Sequence, residues 1–179
     1  MSEPFDFKAH IRTIPDFPVP GVQFRDVTTL FGHAEAFRRA VDALAEPYLD
    51  HHVDVIVALD ARGFILGGAV SYNLGLPFVP IRKKGKLPGE RLSEAYSLEY
   101  GDAIVEIHAD AFAAGQRVLL IDDLLATGGT AVAGVKLIER LGGELIAASF
   151  IVDLPELGGA RRLREMGIEV HALTAFEDP

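Results

Sequence analysis

Two adjacent acids, Asp122 and Asp123, follow the apolar run Val118-Leu119-Leu120-Ile121, and shortly after them comes Thr127-Gly128-Gly129-Thr130. The last string suits an anion. Backbone N–H groups and the positive end of a helix dipole converge where a strand hands over to a helix. Glycines let the backbone approach closely, and threonine hydroxyls add donors. The acids oppose this, because at ~6 Å and an effective dielectric of ~20 each like-charge pair costs roughly 3 kcal/mol. Something must lie between the carboxylates and the anion. A sugar diol can donate its hydroxyls to the acids while its phosphate reaches the loop, and a bound cation is the other solution. Both point to a ribose phosphate. The plainer reading, a strand ending in a solvated acidic turn, suits an isolated Asp-Asp better than one joined to such a loop.

A second apolar run, Val53-Asp54-Val55-Ile56-Val57-Ala58-Leu59, leads into Asp60-Ala61-Arg62-Gly63. An arginine fork beside a glycine suits a pyrophosphate, although alone it reads as a surface arginine capping a turn. The one dense basic run is Arg82-Lys83-Lys84-Gly85-Lys86, continued by the breakers Leu87-Pro88-Gly89-Glu90. A long loop inside a compact domain, carrying cations beside an anion site, is expected to act as a mobile lid over about residues 82–95. Glu99, judged by spacing alone, is a solvated strand residue. His51-His52 invites a metal reading, but adjacent histidines diverge on an extended chain and no further ligands stand at metal-site spacing. An exposed turn is expected there, and His108 is expected to be structural or exposed.

These residues need a scaffold. Runs apolar on both faces at 53–59, 77–81, 118–121 and 144–152, with a last strand at 168–173, read as strands of a parallel sheet. Helical spacing appears at 33–50, 64–73, 131–141 and 159–166. Residues 95–101 and 103–107 read as a hairpin with a Gly-Asp turn. The prolines at 4, 15, 18 and 20 make the first 20 residues irregular. Alternating strands and helices predict a doubly wound, mostly parallel α/β sheet. In such a sheet ligands bind beyond the C-terminal strand ends, so Arg62 and the Asp122 loop should share one rim.

The 179 residues suffice for one domain with a full core. Net charge is −9, which argues against a nucleic-acid-binding surface. The absence of cysteine excludes disulfides and thiol catalysis. The first five residues, Met1-Ser2-Glu3-Pro4-Phe5, lack the blocks of a signal peptide, and no apolar run reaches the ~20 residues of a membrane span. The expected location is the cytoplasm, with no membrane partner. Walker-A and Gly-x-Gly-x-x-Gly spacings are both missing, against a nucleoside triphosphatase or a dinucleotide enzyme.

The string Asp122-Asp123-Leu124-Leu125-Ala126-Thr127-Gly128-Gly129-Thr130 resembles the phosphoribosyl-pyrophosphate motif of the type I phosphoribosyltransferases, in wording most like the adenine-specific branch. The resemblance runs from about Phe17 to Leu154. It implies that Ala126, Thr127, Gly128, Gly129 and Thr130 hold the 5-phosphate and that Asp122 and Asp123 hold the ribose. The Asp60-Ala61-Arg62-Gly63-Phe64 and Ile81-Arg82-Lys83 blocks are similar to the family's pyrophosphate-binding segments, which assigns that role to Arg62 and Lys83. Pro20-Gly21-Val22-Gln23-Phe24-Arg25-Asp26 looks like its base-pocket block, placing Phe24 and the backbone around Arg25 at adenine, with Leu154 closing the far face. Thr29 stands where many relatives have proline. Tyr96-Ser97-Leu98-Glu99-Tyr100-Gly101 matches the adenine branch's signature, whose glutamate manages the purine's proton, so Glu99 becomes the catalytic candidate. The implied fold is a single phosphoribosyltransferase domain with a small hood from about 1–30 and 153–158. The implied reaction is purine salvage, adenine plus phosphoribosyl pyrophosphate giving AMP and pyrophosphate. Mg²⁺ is expected to be chelated mainly by the substrate, with no metal ligands from the protein, and a homodimer is expected because relatives are dimers. The rival is a regulator of the same fold acting on nucleic acid, which would need a basic surface or an added module.

Overall fold

The strands that the sequence marks as apolar on both faces do lie at the centre of the molecule. The computed structural model describes residues 5–98 and 101–177. In chain order, β1 (Arg12–Pro15) and β2 (Gln23–Asp26) precede the short α1 (Thr28–Phe31) and α2 (Ala34–Ala45). Then come β3 (Val55–Leu59), α3 (Arg62–Leu74), β4 (Phe78–Lys83), β5 (Arg91–Leu98) and β6 (Gly101–His108). The chain continues with β7 (Arg117–Leu125), α4 (Gly129–Arg140), β8 (Glu144–Asp153), α5 (Gly159–Glu165) and β9 (Val170–Ala175).

Seven strands form one sheet in the order β5-β6-β4-β3-β7-β8-β9. The five from β4 to β9 run parallel, and β6 and β5 add an antiparallel ribbon at one edge. Side chains of successive strand residues point to opposite faces, so β3 and β7 feed two cores. Val55, Val57, Leu59, Val118 and Leu120 pack with α4 and α5. Ile56, Ala58, Leu119 and Ile121 pack with α2 and α3. Helices on both faces make the sheet doubly wound, as the alternation of elements predicts.

Three boundaries differ from the expectation. The helix read over 33–50 stops at Ala45 and tightens into a 3-10 turn, Glu46–Tyr48, because Pro47 has no N–H to continue it. The first 20 residues are not wholly irregular, since β1 finds an antiparallel partner in β2, with Ile14 opposite Phe24. The prolines did not forbid this, as Pro15 sits at the end of a two-stranded edge. The 82–95 segment carries strand at both ends and leaves only 84–90 between them. Buried Glu106 organises that stretch: its carboxylate accepts from the Gly85 N–H at 3.0 Å and the Ser93 hydroxyl at 3.1 Å, and Arg91 lies 3.2 Å away. The Gly85 bond, then those from Ser93 and Arg91, hold its carboxyl below the usual range against the opposing effect of burial.

The β1–β2 ribbon lies outside the main sheet. Phe176, just after β9, ties it to the end of β8. Its N–H donates to the Asp153 carbonyl at 3.1 Å, and its ring lies 4.3 Å under the Arg25 guanidinium. No helix among the described residues is long and apolar enough to cross a membrane.

Candidate active site

At the C-terminal rim of the sheet two hollows meet. The smaller, about 100 Å³, is lined by Asp122 and by residues 124–131. The larger, about 440 Å³, is lined by Asp60, Ala61, Arg62, Lys83, Tyr96, Val105, Asp122, Asp123, Leu124 and Thr130. Asp122, Leu124 and Thr130 line both. A ligand with its phosphate in the first hollow must therefore pass the acids to reach the second, the order that a ribose phosphate bearing a leaving group would need.

The smaller hollow is made by backbone. Gly128 adopts φ +80°, a left-handed conformation that an L side chain rarely takes, and it turns the chain into α4. Val132 is the residue whose N–H returns to the Gly128 carbonyl, at 2.8 Å. Helix geometry therefore directs the amides of Gly129, Thr130 and Ala131 out of the helix start, toward the hollow.

Asp122 and Asp123 lie inside β7, which runs on to Leu125, and not at its end as the apolar run suggests. Their environments differ. Asp123, 4% exposed, is gripped by Arg62, whose Nε donates to Oδ2 at 2.5 Å. Asp122 is held instead by the backbone, its Oδ1 accepting the Asp123 N–H at 2.9 Å. Burial pushes the Asp122 carboxyl well up, and the neighbouring Asp123 charge pushes the same way. The Asp123 N–H and Arg62 pull it down and do not prevail. Gly63 packs against this group so closely that a Cβ there would stand 2.7 Å from Asp122 Oδ1.

Arg62 opens α3 and joins two predicted subsites. Besides Asp123, its guanidinium lies 5.7 Å from the centre of the Phe24 ring. Phe24 also meets the edge of Phe17, with centroids 5.1 Å apart. Arg25 points its side chain into the ribbon, where Nη1 donates to Thr13 Oγ1 at 2.6 Å. Leu154 is buried, and its N–H donates to the Leu125 carbonyl at 2.9 Å beside the smaller hollow. Lys83 ends β4 on the larger cleft, its N–H 3.3 Å from Asp60 Oδ2. Glu99 lies outside the described residues.

Four contributors were not found by sequence reasoning. Asp60 receives Lys83 and lies 3.5 Å from Arg82 Nε. Tyr96 stands against Gly129, 3.2 Å from where a Cβ would be. Phe176 supports Arg25 without any motif to announce it. Gly159 packs against Ala126 and Gly128 of the loop lining the small hollow, and its pairing with Gly158 at a strand-to-helix turn was the available signal. The histidines take the plainer roles: exposed His52 pairs with Asp54 at 2.8 Å, and His108 bonds the Pro88 carbonyl at 3.0 Å. Among the described residues no cluster of His, Asp and Glu fits a metal ion.

A strand-loop-helix phosphate cradle, paired acids and a basic rim on a doubly wound sheet define a class, the phosphoribosyl transferases. The phosphoribosyl transferase domain model matches residues 29–166, and the chain belongs to that family. Within it, the similarity is to the adenine-specific members. The adenine phosphoribosyltransferase of Roseobacter denitrificans is 64% identical over 168 residues, covering 94% of this chain and 96% of that protein. The crystal structure of adenine phosphoribosyltransferase from Thermoanaerobacter pseudethanolicus superposes with TM-score 0.90 at 46% identity, covering 95% of this chain and 98% of that one. The Saccharomyces cerevisiae enzyme, solved with adenine and an imino-altritol bisphosphate, gives TM-score 0.87 at 37% identity, covering 93% and 96%.

Proposed function

We propose that the chain transfers the 5-phosphoribosyl group of phosphoribosyl pyrophosphate to N9 of adenine, releasing AMP and pyrophosphate in purine salvage. The observation that carries this is the junction of the two hollows at Asp122, with the phosphate cradle on one side and Arg62 on the other. The bond from ribose C1 to a pyrophosphate oxygen breaks, the bond from N9 to C1 forms, and N9 gives up its proton. Residues 126–130 hold the 5-phosphate. Asp122 and Asp123 accept the ribose hydroxyls and offset the positive charge that develops on the ring; such fixed charges often supply the largest catalytic contribution. Arg62 and Lys83 take the leaving pyrophosphate. Because Arg62 already holds Asp123, substrate binding exchanges one anionic partner for another. Phe24, the Arg25 backbone and Leu154 receive the base, and Glu99 accepts the N9 proton or bonds the purine.

Mg²⁺ belongs to the substrate in this reading. A small hard cation keeps most of its oxygen ligands from phosphate and water, with one or two carboxylates at most, and Asp60 and Asp122 on the cleft suit that. It supplies neutralisation of the departing pyrophosphate. The 82–95 segment serves as the lid, a role that Lys83 on the cleft supports. The outer face of α3 supports a homodimer: Ile65 is 48% exposed and Tyr72 is 91% exposed, two turns apart on one side. Sedimentation at micromolar concentration tests it, and a monomer there would refute it. The cytoplasm is the proposed location, since a substrate with several phosphate charges does not cross a bilayer unaided.

The deciding assay offers adenine, hypoxanthine, guanine, xanthine and orotate separately with phosphoribosyl pyrophosphate and Mg²⁺. AMP from adenine alone is expected. Product from another base would keep the phosphate site and overturn the pocket of Phe24, Leu154 and Glu99.

A further inference from the structure

The loop that forms the phosphate cradle is held from behind by the segment joining β8 to α5. That segment touches it at both ends. The Leu154 N–H donates to the Leu125 carbonyl and the Gly159 N–H donates to the Ala126 carbonyl, each at 2.9 Å. At Gly159 the approach leaves no room for a side chain. A Cβ would stand 2.3 Å from the Ala126 oxygen, 2.9 Å from the Gly128 nitrogen and 3.0 Å from Leu125 Cδ1. The contact is close from the other side too, since a Cβ on Gly128 would meet the Gly159 Cα at 3.0 Å.

We propose that Gly159 is a positioning residue for the 5-phosphate of the substrate: its bare Cα lets the loop at 126–130 sit in its anion-binding shape. This deepens, and rests on, the assignment of 126–130 as the phosphate cradle. The physical chain is short. Two of the three atoms that a Cβ would meet are backbone, so the clash is not relieved by a rotamer change. Contacts under 3.0 Å are essentially never seen for a Cβ, so the Ala126 oxygen must retreat by a sizeable fraction of an ångström. Gly128 moves with it, and Gly128 accepts the Val132 N–H, so the first turn of α4 and its outward amides move too. Misplacement of binding groups by about 1 Å costs on the order of 10²-fold.

The test compares three variants by steady-state kinetics and by calorimetric binding of AMP. Gly159→Ala is expected to raise KM for phosphoribosyl pyrophosphate and weaken AMP by up to about 10²-fold, with KM for adenine and kcat much less affected. Gly167→Ala is the structural control. Gly167 has φ +81° at the far end of α5 with nothing near its absent Cβ, so the change strains the helix without touching the loop. It should leave both affinities unchanged; a matching loss would reduce the Gly159 effect to helix destabilisation and overturn the proposal. Thr130→Ala probes the cradle directly. If Thr130→Ala weakens phosphate binding and Gly159→Ala does not, the role of Gly159 is refuted and the cradle stands. If neither does, the cradle assignment fails and the proposal falls with it. Should Gly159→Ala not fold, amide hydrogen exchange on the unaltered protein decides. AMP is expected to slow exchange at the Gly159 N–H, and no change there would overturn the role.

Discussion

Replacing Asp122 with asparagine should make this protein more stable and far slower. Asp122 lies half-buried beside Asp123 at the meeting of the two hollows, and both desolvation and that neighbour raise its carboxyl. Two carboxylates at ~5 Å and an effective dielectric of ~20 repel by roughly 3 kcal/mol before compensation. Arg62 on Asp123 offsets part of this. Relief of an active-site conflict of this kind commonly returns about 0.5–2 kcal/mol. Asparagine keeps an oxygen for the Asp123 N–H, which now bonds Asp122 Oδ1 at 2.9 Å. For a chain of this size 1 kcal/mol corresponds to about 2–4 °C in Tm. The pH dependence fixes the cause. A carboxyl raised in the folded state is penalised once it must ionise, so the wild type loses stability as pH climbs from the ordinary aspartate range through the raised value. The gap between Asp122→Asn and wild type should be small at about pH 3, below the ordinary aspartate range, where the group is largely protonated folded or unfolded, and widen toward neutrality. Urea midpoints at several pH values measure this. Turnover at pH 7.5 should fall on the order of 10²-fold, because a charge facing the developing cation is gone. A variant less stable than wild type at neutral pH, or a gap independent of pH, would refute the account of Asp122 as an acid whose ionisation the fold penalises.

Other outcomes are expected of the same site. Arg62→Ala removes the fork held by Asp123, and loss of one partner in such a bonded pair costs about 2 kcal/mol or more, or about 30-fold in pyrophosphate affinity during the reverse reaction; AMP binding unchanged alongside it would confirm the split of subsites, and pyrophosphate affinity unchanged would remove Arg62 from the leaving-group site. Glu99→Gln should lower kcat by about 10²–10⁴-fold with little change in KM for phosphoribosyl pyrophosphate; undiminished turnover excludes it from the proton's path. Gly63→Ala places a Cβ 2.7 Å from Asp122 Oδ1 and 3.2 Å from the Ile121 carbonyl, so chemical denaturation should show about 1–3 kcal/mol lost together with activity. Wild-type behaviour in that variant would mean that the backbone between α3 and β7 yields more easily than its contacts indicate.

Much of this was legible in the sequence because it is local. Apolar runs without a polar face placed β3, β7 and β8 in the sheet interior, and the handover from Leu125 to Gly129 announced a strand-loop-helix turn with a glycine at the helix start. The family wording supplied the roles proposed for Arg62, Lys83 and the base pocket, which spacing alone did not give. What the sequence did not convey depends on pairs far apart in the chain. Nothing in residues 60–63 tells that Arg62 grips Asp123, which makes the surroundings of the two acids unequal. No motif marks Phe176 as the ring that joins Arg25 to Asp153, and no periodicity tells that Gly159 must lack a side chain because it packs directly behind Ala126 and Gly128. Hydrophobic period and turn chemistry are properties of neighbouring residues, and a sequence displays them directly. Desolvation, ion-pair choice and the space left for a Cβ are set by whichever distant segment packs there, and folding alone brings those segments together.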